Sequence, residues 1–383
     1  MNTITKMLFE RQLLSQLSSK FNSGKAIILL GPRQVGKTTL IKNLLKDSLY
    51  LFLDGDDPTV RDLLKNANTE EIRSLIGKNE IIFIDEAQRV TNVGLTAKII
   101  IDQIKPKQLI MSGSSSFELN NSINEPLTGR KWEYLLLPIS WTEFEDKVGY
   151  VVSEQQLNMR LLYGMYPDVL NNTGSERDIL QELVSSYLYK DILTYSGIRK
   201  PEILEKLLRA LAYQLGNEVS YNELSQIVGV DKNTVSAYID LLTQAFVIFK
   251  LPSFSRNLRN EIKKNQKIYF YDLGVRNTII GDFSPLDSRP DKGSLWENFL
   301  IVERMKQNLY HRNYAMSFFW RTKDQQEIDY VEEIDGKVTG FEFKWKDVTK
   351  IKKPSRFMET YNAKVNIVHR ENFRSFLKKI KET

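Results

Sequence analysis

The sequence predicts an α/β protein in three parts: a parallel sheet within residues 1–150, a helical middle over 151–260, and a second α/β region over 261–383. Three observations predict it. Wholly apolar runs at 26–30 (AIILL), 81–84 (IIFI) and 109–111 (LIM) end in small or acidic residues, the pattern of strands buried on both faces. Helical periodicity dominates 151–250. Alternation of charged and apolar residues returns in EIDYVEEIDGKVTGFEFKWK (327–346), which turns over at Asp335-Gly336.

Composition narrows the classes. A chain of 383 residues is long for one domain, and 42% hydrophobic residues supply real cores. There is no cysteine, which excludes disulfides, thiolate zinc sites and a cysteine nucleophile and fits a reducing cytoplasm. The two histidines, His311 and His369, lie far from any acidic or serine motif, against a Ser-His-Asp triad or a histidine-rich metal site. The segment MNTITKMLFERQLL does not read as a signal peptide, and no apolar run is long enough to span a membrane. Cytoplasmic localisation without a membrane partner is the expectation. The formal charge of +6 is uneven: residues 251–383 hold 26 Lys+Arg against 18 Asp+Glu. A basic C-terminal third suits an anionic partner, most simply DNA or RNA, or serves solubility alone.

The first strand leads into Gly31-Pro32-Arg33-Gln34-Val35-Gly36-Lys37-Thr38-Thr39, which holds G-x-x-x-x-G-K-[ST] between an apolar run and an amphipathic helix (Leu40, Ile41, Leu44, Leu45). The glycines let backbone amides face phosphate oxygens. Lys37 offers a point charge to the β- and γ-phosphates, and Thr38 offers a hydroxyl to Mg²⁺. ATP and Mg²⁺ are the cofactors this pattern calls for. The run IIFI then delivers Asp85 and Glu86 to the carboxyl end of a buried strand, where open α/β sheets bind ligands. Asp85 suits Mg²⁺ through its water, and Glu86 suits polarising the attacking water. The strand LIM ends in Ser112 to Ser116, of which Ser114 is a candidate for sensing the γ-phosphate or holding the water. In YLFLDGDDPTVRDLL (50–64), Asp57 reads as a helix cap before Pro58 at the first helical position.

The stretches GPRQVGKTT, FIDEAQ, SGSSSFEL and LTGRKWEYLLLPISWTEF (127–144) resemble the AAA-type P-loop ATPases. They are similar to a bacterial and archaeal family that carries a C-terminal domain of unknown function. The resemblance spans nearly the whole chain. It implies that Arg130, in LTGR, senses or stabilises the γ-phosphate of its own chain or of a neighbour. It also implies that the helical residues 151–217, with a turn at YGMYPDVL (163–170) and an amphipathic SSYLYKDIL (185–193), link the ATPase to the more C-terminal regions.

In EVSYNELSQIVGVDKNTVSAYIDLLTQAFVIFKL (218–251), Ser220 and Glu223 form a capping-box pattern, Gly229 makes a turn and Asp231 caps a second helix through Leu242. Two short helices about a glycine resemble a helix-turn-helix, with AFVIFKL starting a wing. Its second helix offers one lysine, Lys232, beside Asn233, Ser236 and Asp240, so packing or protein contact competes with DNA readout. The basic stretch SFSRNLRNEIKKNQK (253–267) is the better local candidate for nucleic acid.

The C-terminal third begins with a strand and helix in KIYFYDLGVRNTII (267–280). SLWENFLIVERMKQNL (294–309) is next, an amphipathic helix with Leu295, Phe299, Val302 and Met305 on one face, and three strands come after it. Glu342 and Lys344 share a strand face opposite Phe341, Phe343 and Trp345. Asp329 lies across the hairpin, and Glu297 lies on the preceding helix. This layout resembles the restriction-endonuclease-like superfamily. The resemblance implies Mg²⁺ ligation by Glu297, Asp329 and Glu342, with Lys344 orienting water or stabilising phosphate charge. The E-x-K triplet alone carries nothing, because it recurs at Glu145–Lys147 and Glu261–Lys263.

The sequence therefore points to an Mg-ATP-dependent ATPase whose nucleotide state controls a winged-helix and nuclease-like region near nucleic acid. An active ATP-regulated nuclease and a nucleotide-gated protein adaptor are the competing expectations. No oligomeric state is assigned.

Overall fold

The computed structural model describes residues 7–114, 123, 125–186, 200–255, 266–322, 324, 326–347 and 354–378. The stretches 115–119, 187–193 and 256–265, which held parts of the expected sensor loop, linker helix and basic segment, lie outside the described residues. The chain divides into two compact units, residues 1–139 with 244–246, and residues 140–243 with 247–383.

In the first unit, β1 (Ala26–Leu30), β2 (Leu51–Asp54), β3 (Ile81–Asp85), β4 (Gln108–Gly113) and β5 (Lys131–Leu135) form one parallel sheet in the order β2-β3-β4-β1-β5. Every residue of β1, β3 and β4 is buried, which is why these strands read as unbroken apolar runs. The turn from β1 into the helix Lys37–Leu44 requires glycine twice. Gly36 has φ +92° at the helix start, and a Cβ on Gly31 would stand 2.0 Å from the Leu136 carbonyl oxygen. Asp57 caps the helix Pro58–Leu64 by accepting from the Thr59 amide at 2.7 Å.

The second unit opens with helices Trp141–Val148, Tyr150–Tyr163, Pro167–Asn171, Glu176–Leu183 and Pro201–Tyr213. The turn expected over 163–170 is confined to residues 164–166, with Gly164 at φ +71°, and the short helix Pro167–Asn171 comes after it. The helices Tyr221–Val228 and Lys232–Gln244 flank Gly229, which adopts the left-handed conformation at φ +77°. β6 (Glu218–Val219), β7 (Ile248–Pro252) and β8 (Gln266–Phe270) make a three-stranded antiparallel sheet in the order β6-β8-β7. The expected boundary at 260 therefore cuts a paired hairpin: β7 stands before it and β8 after it.

The remaining strands, β9 (Met316–Arg321), β10 (Glu327–Ile334), β11 (Lys337–Phe343) and β12 (Lys364–Val368), form a sheet in the order β12-β11-β10-β9. The first three are antiparallel, and β12 runs parallel to β11 after the crossover helix Ser355–Tyr361. Asp335 and Gly336 both take positive φ (50° and 78°), the two-residue hairpin turn that their pairing predicts. The helix Lys292–His311 corrects an expectation. It is buried nearly all round, not along one face, and Glu303, Arg304, Lys306, Gln307 and Asn308 are inside it. Pairing makes this tolerable: Arg304 forks onto Glu332 with two bonds of 2.7 Å, and Lys306 meets Glu303 at 2.7 Å.

Candidate functional site

The parallel sheet brings the ends of β1, β3 and β4 together. Thr38 Oγ1 donates to Asp85 Oδ2 at 2.6 Å, and Ser112 Oγ, on β4, donates to Asp85 Oδ1. A threonine hydroxyl from the loop and a carboxylate from β3 therefore meet at one point. Lys37 is 5% exposed and donates to the Gly31 and Pro32 carbonyls, 2.9 Å each. Burial lowers its pKa from 10.5 to about 8; the nearby Glu86 and Asp85 oppose this and Arg33 adds to it. Val35 is buried beneath the loop, while Gln34, with φ +61°, and Thr39 are exposed.

Glu86 leaves the strand in the left-handed region, φ 45°. Its carboxylate accepts from Ser114 Oγ at 3.2 Å and from Gln88 Nε2, which also donates to Ser114 at 3.0 Å. Sequence reasoning passed over Gln88, although it lies inside the quoted FIDEAQ. It also passed over Arg11, a buried side chain that donates to Val35 O at 2.8 Å and to Leu137 O at 2.5 Å. Arg11 fixes the loop from 24 residues upstream, a distance no local pattern signals.

Arg130 stands elsewhere. It precedes Lys131, which pairs with Ala26 at the start of β1, whereas the glycine loop comes after Leu30 at the end of that strand. Five residues of strand, roughly 15 Å, separate the two ends, more than an arginine side chain spans. Arg130 instead meets Asp102 at 2.7 Å beside a cavity of about 720 Å³ lined by Lys25, Lys105 and Lys107. It does not reach the loop of its own chain.

The oxygen donors of Thr38 and Asp85 suit a small hard cation. Mg²⁺, when bound beside nucleotide, would neutralise phosphate charge there. The donor set fits, and Lys37 would have to exchange its carbonyl partners for phosphate oxygens.

In the second unit, Glu297, Asp329, Glu342 and Lys344 do gather. Lys344 Nζ lies 3.0 Å from Glu342 and 4.0 Å from Asp329. Asp329 accepts from the Phe343 amide at 2.7 Å. Glu297 accepts from Tyr269 Oη and from Lys267 Nζ, the latter at 3.1 Å, and Lys267 also meets Glu327 at 2.6 Å. Burial pushes Glu297 and Glu342 up to about 7, with Asp329 adding repulsion at both; Lys267 opposes the rise at Glu297, and Lys344 opposes it at Glu342. Lys267 and Tyr269 were missed by the sequence, since β8 joins this cluster only through tertiary structure, and Glu327 was passed over although it opens the hairpin stretch 327–346. Among the described residues, no group of three or more acidic or histidine side chains is arranged to hold a metal ion. With no such arrangement, and with the ammonium groups of Lys267 and Lys344 already among these carboxylates, the set does not fit the Mg²⁺ site that was expected.

Comparisons with known proteins agree with the first unit. A family model described as an AAA domain matches residues 23–145, and models of two domains of unknown function (DUF8612 and DUF4143) match 154–286 and 292–381. An uncharacterized protein of Mycobacterium tuberculosis is 27% identical over 347 residues, 89% of this chain and 75% of the relative. One from Haemophilus influenzae is 24% identical over 343 residues, 84% and 80% of the two chains. Among solved structures, a Walker-type ATPase of Pyrococcus abyssi superposes with a TM-score of 0.51 at 16% identity, covering 71% of this chain and 96% of that one. That likeness concerns the fold. The AAA-domain match and the five-stranded parallel sheet support a P-loop ATPase domain of the AAA type in residues 23–145.

Proposed function

We propose that the protein binds Mg-ATP at Gly31–Thr39, hydrolyses it with Glu86 as the water-polarising carboxylate, and uses its nucleotide state to control the region beyond residue 150. One observation carries the reading: the 2.6 Å hydrogen bond that joins Thr38 of the loop to Asp85 of β3. Ser114 and Gln88 support it by holding the Glu86 carboxylate. Arg130 enters hydrolysis only if it serves the nucleotide of another copy of the chain. Titration of fluorescent ATP tests the site. Lys37→Ala should remove binding, and an unchanged affinity in that variant would sink the proposal. Glu86→Gln should keep binding and lose hydrolysis.

A second reading concerns the C-terminal third as a nuclease-like fold acting near DNA or RNA, with the helix pair at 221–244 and β7–β8 as a winged helix. Supporting it are the order helix, three antiparallel strands, helix, parallel strand, and the cluster of Glu297, Asp329, Glu342 and Lys344. Cytoplasmic action belongs to the same proposal. No helix among the described residues is long and apolar enough to cross a membrane.

A further inference from the structure

The C-terminal cluster contains a cation of its own. Lys267 is 2% exposed, and its ammonium lies 2.6 Å from Glu327 and 3.1 Å from Glu297. Its position is set by a strand: β8 pairs on both sides, with Lys267 opposite Glu218 of β6 and Leu251 of β7. Tyr269, two residues on and therefore on the same face, donates to the same Glu297 oxygen. On the other side of the cluster, Lys344 holds Glu342, and the Phe343 amide holds Asp329. Arg321 lies 3.8 Å from Glu327 and is shared with Glu218.

A divalent ion needs those carboxylate oxygens for itself. Mg²⁺ demands close, near-octahedral oxygen ligands at about 2.0–2.1 Å and gives up its waters reluctantly. Here the oxygens are engaged by ammonium, phenol and amide donors. Charge leads to the same conclusion. Two ammonium groups, Lys267 and Lys344, already stand against Glu297, Glu327 and Glu342, so these carboxylates receive positive charge from within the chain.

We propose that Lys267 is a tethered cation standing where a nuclease-like fold would place a divalent metal, so that the native pocket takes no such ion and the domain does not cleave by metal-assisted hydrolysis. This rests on the nuclease-like reading of the C-terminal third and departs from what that reading implies about Mg²⁺. The ammonium is fixed in place by its strand, and removing its charge frees the Glu327 oxygen it holds and leaves Glu297 with its Tyr269 hydrogen bond, beside Asp329 and Glu342.

The test is Mn²⁺ binding to the nucleotide-free full chain, monitored by the electron paramagnetic resonance signal of the free ion. Wild type should bind no more Mn²⁺ than Glu342→Gln. Lys267→Met keeps an unbranched side chain, one atom shorter, and removes its charge. It should gain one site at least about tenfold tighter than any in wild type, and Lys267→Met/Glu342→Gln should lose that site again. Where Lys267→Met does not fold, as judged by circular dichroism, Lys267→Met/Glu327→Gln carries the test, because it removes one negative charge together with the ammonium. Mn²⁺ binding by wild type that Glu342→Gln abolishes overturns the proposal and leaves the nuclease-like reading standing. Folded Lys267 variants that gain no site also overturn it. If wild type then fails to bind DNA and RNA at low salt, the nuclease-like reading falls with it; if nucleic acid binds, only the cation proposal is lost.

Discussion

Lys37 shows how a single residue can be prepared for a ligand at a cost. Its ammonium is buried and satisfied by two loop carbonyls, and burial lowers its pKa to about 8. Phosphate oxygens are stronger partners for a cation than carbonyls, so nucleotide should raise that pKa. Above about pH 8 the free protein gives up a proton that the complex should keep, so binding should take up a proton and affinity should fall as pH rises toward the raised pKa of the complex. Calorimetry at pH 8.5 in two buffers of different ionisation enthalpy should show proton uptake on ATP binding, with no uptake in Lys37→Arg. Equal heats in the two buffers for wild type would mean that Lys37 is already charged before nucleotide arrives. The loop itself was legible, because its glycines, lysine and threonine sit within nine residues. Arg11 was not, because its hold on Val35 depends on how two distant segments pack.

At the level of elements, the hairpin β10–β11 depends on its turn. Asp335 and Gly336 both adopt positive φ, and a Cβ on Gly336 would meet nothing within 4 Å. Gly336→Ala should therefore cost about 1 kcal/mol through backbone conformation alone. The urea midpoint should drop with the slope unchanged, whereas Asp335→Gly should be close to neutral. A one-residue slip would turn Glu342 to the opposite face, so the turn also fixes the cluster. Such local devices were readable: the Asp-Gly turn, the Asp57 cap and the unbroken apolar strands each carry their cause within a few residues. The helix Lys292–His311 was not. Its charged residues resemble a solvent face, and partners distant in sequence, such as Glu332 for Arg304 and the Trp141 amide for Glu303, explain why they lie inside. The same holds for Lys267, a lysine at the start of an apolar strand whose acidic partners arrive from 30 and 60 residues further on.

For the whole molecule, charge separates the chain by sequence: 26 Lys+Arg against 18 Asp+Glu after residue 250, within a total of 54 against 48. The acidic balance thus falls on the part that holds the glycine loop Gly31–Thr39, and the basic balance on the part that holds the sheet β9–β12. An anionic polymer should therefore bind through the latter and do so electrostatically, its affinity falling steeply as salt is raised through counterion release. If nucleotide state controls that region, linkage requires the reverse influence: a nucleic acid that prefers one nucleotide state must shift the affinity for nucleotide by the same factor. The expected result is ATP hydrolysis that rises when single- or double-stranded DNA or RNA is added at low salt and returns to its basal rate at high salt. Lys37→Ala should retain the salt-sensitive binding while hydrolysing nothing. Hydrolysis indifferent to every nucleic acid, beside reproducible capture of one protein partner, would turn the reading toward a nucleotide-gated adaptor. In that case the basic balance of the C-terminal third would serve solubility, and the Lys267 cluster would be a structural core.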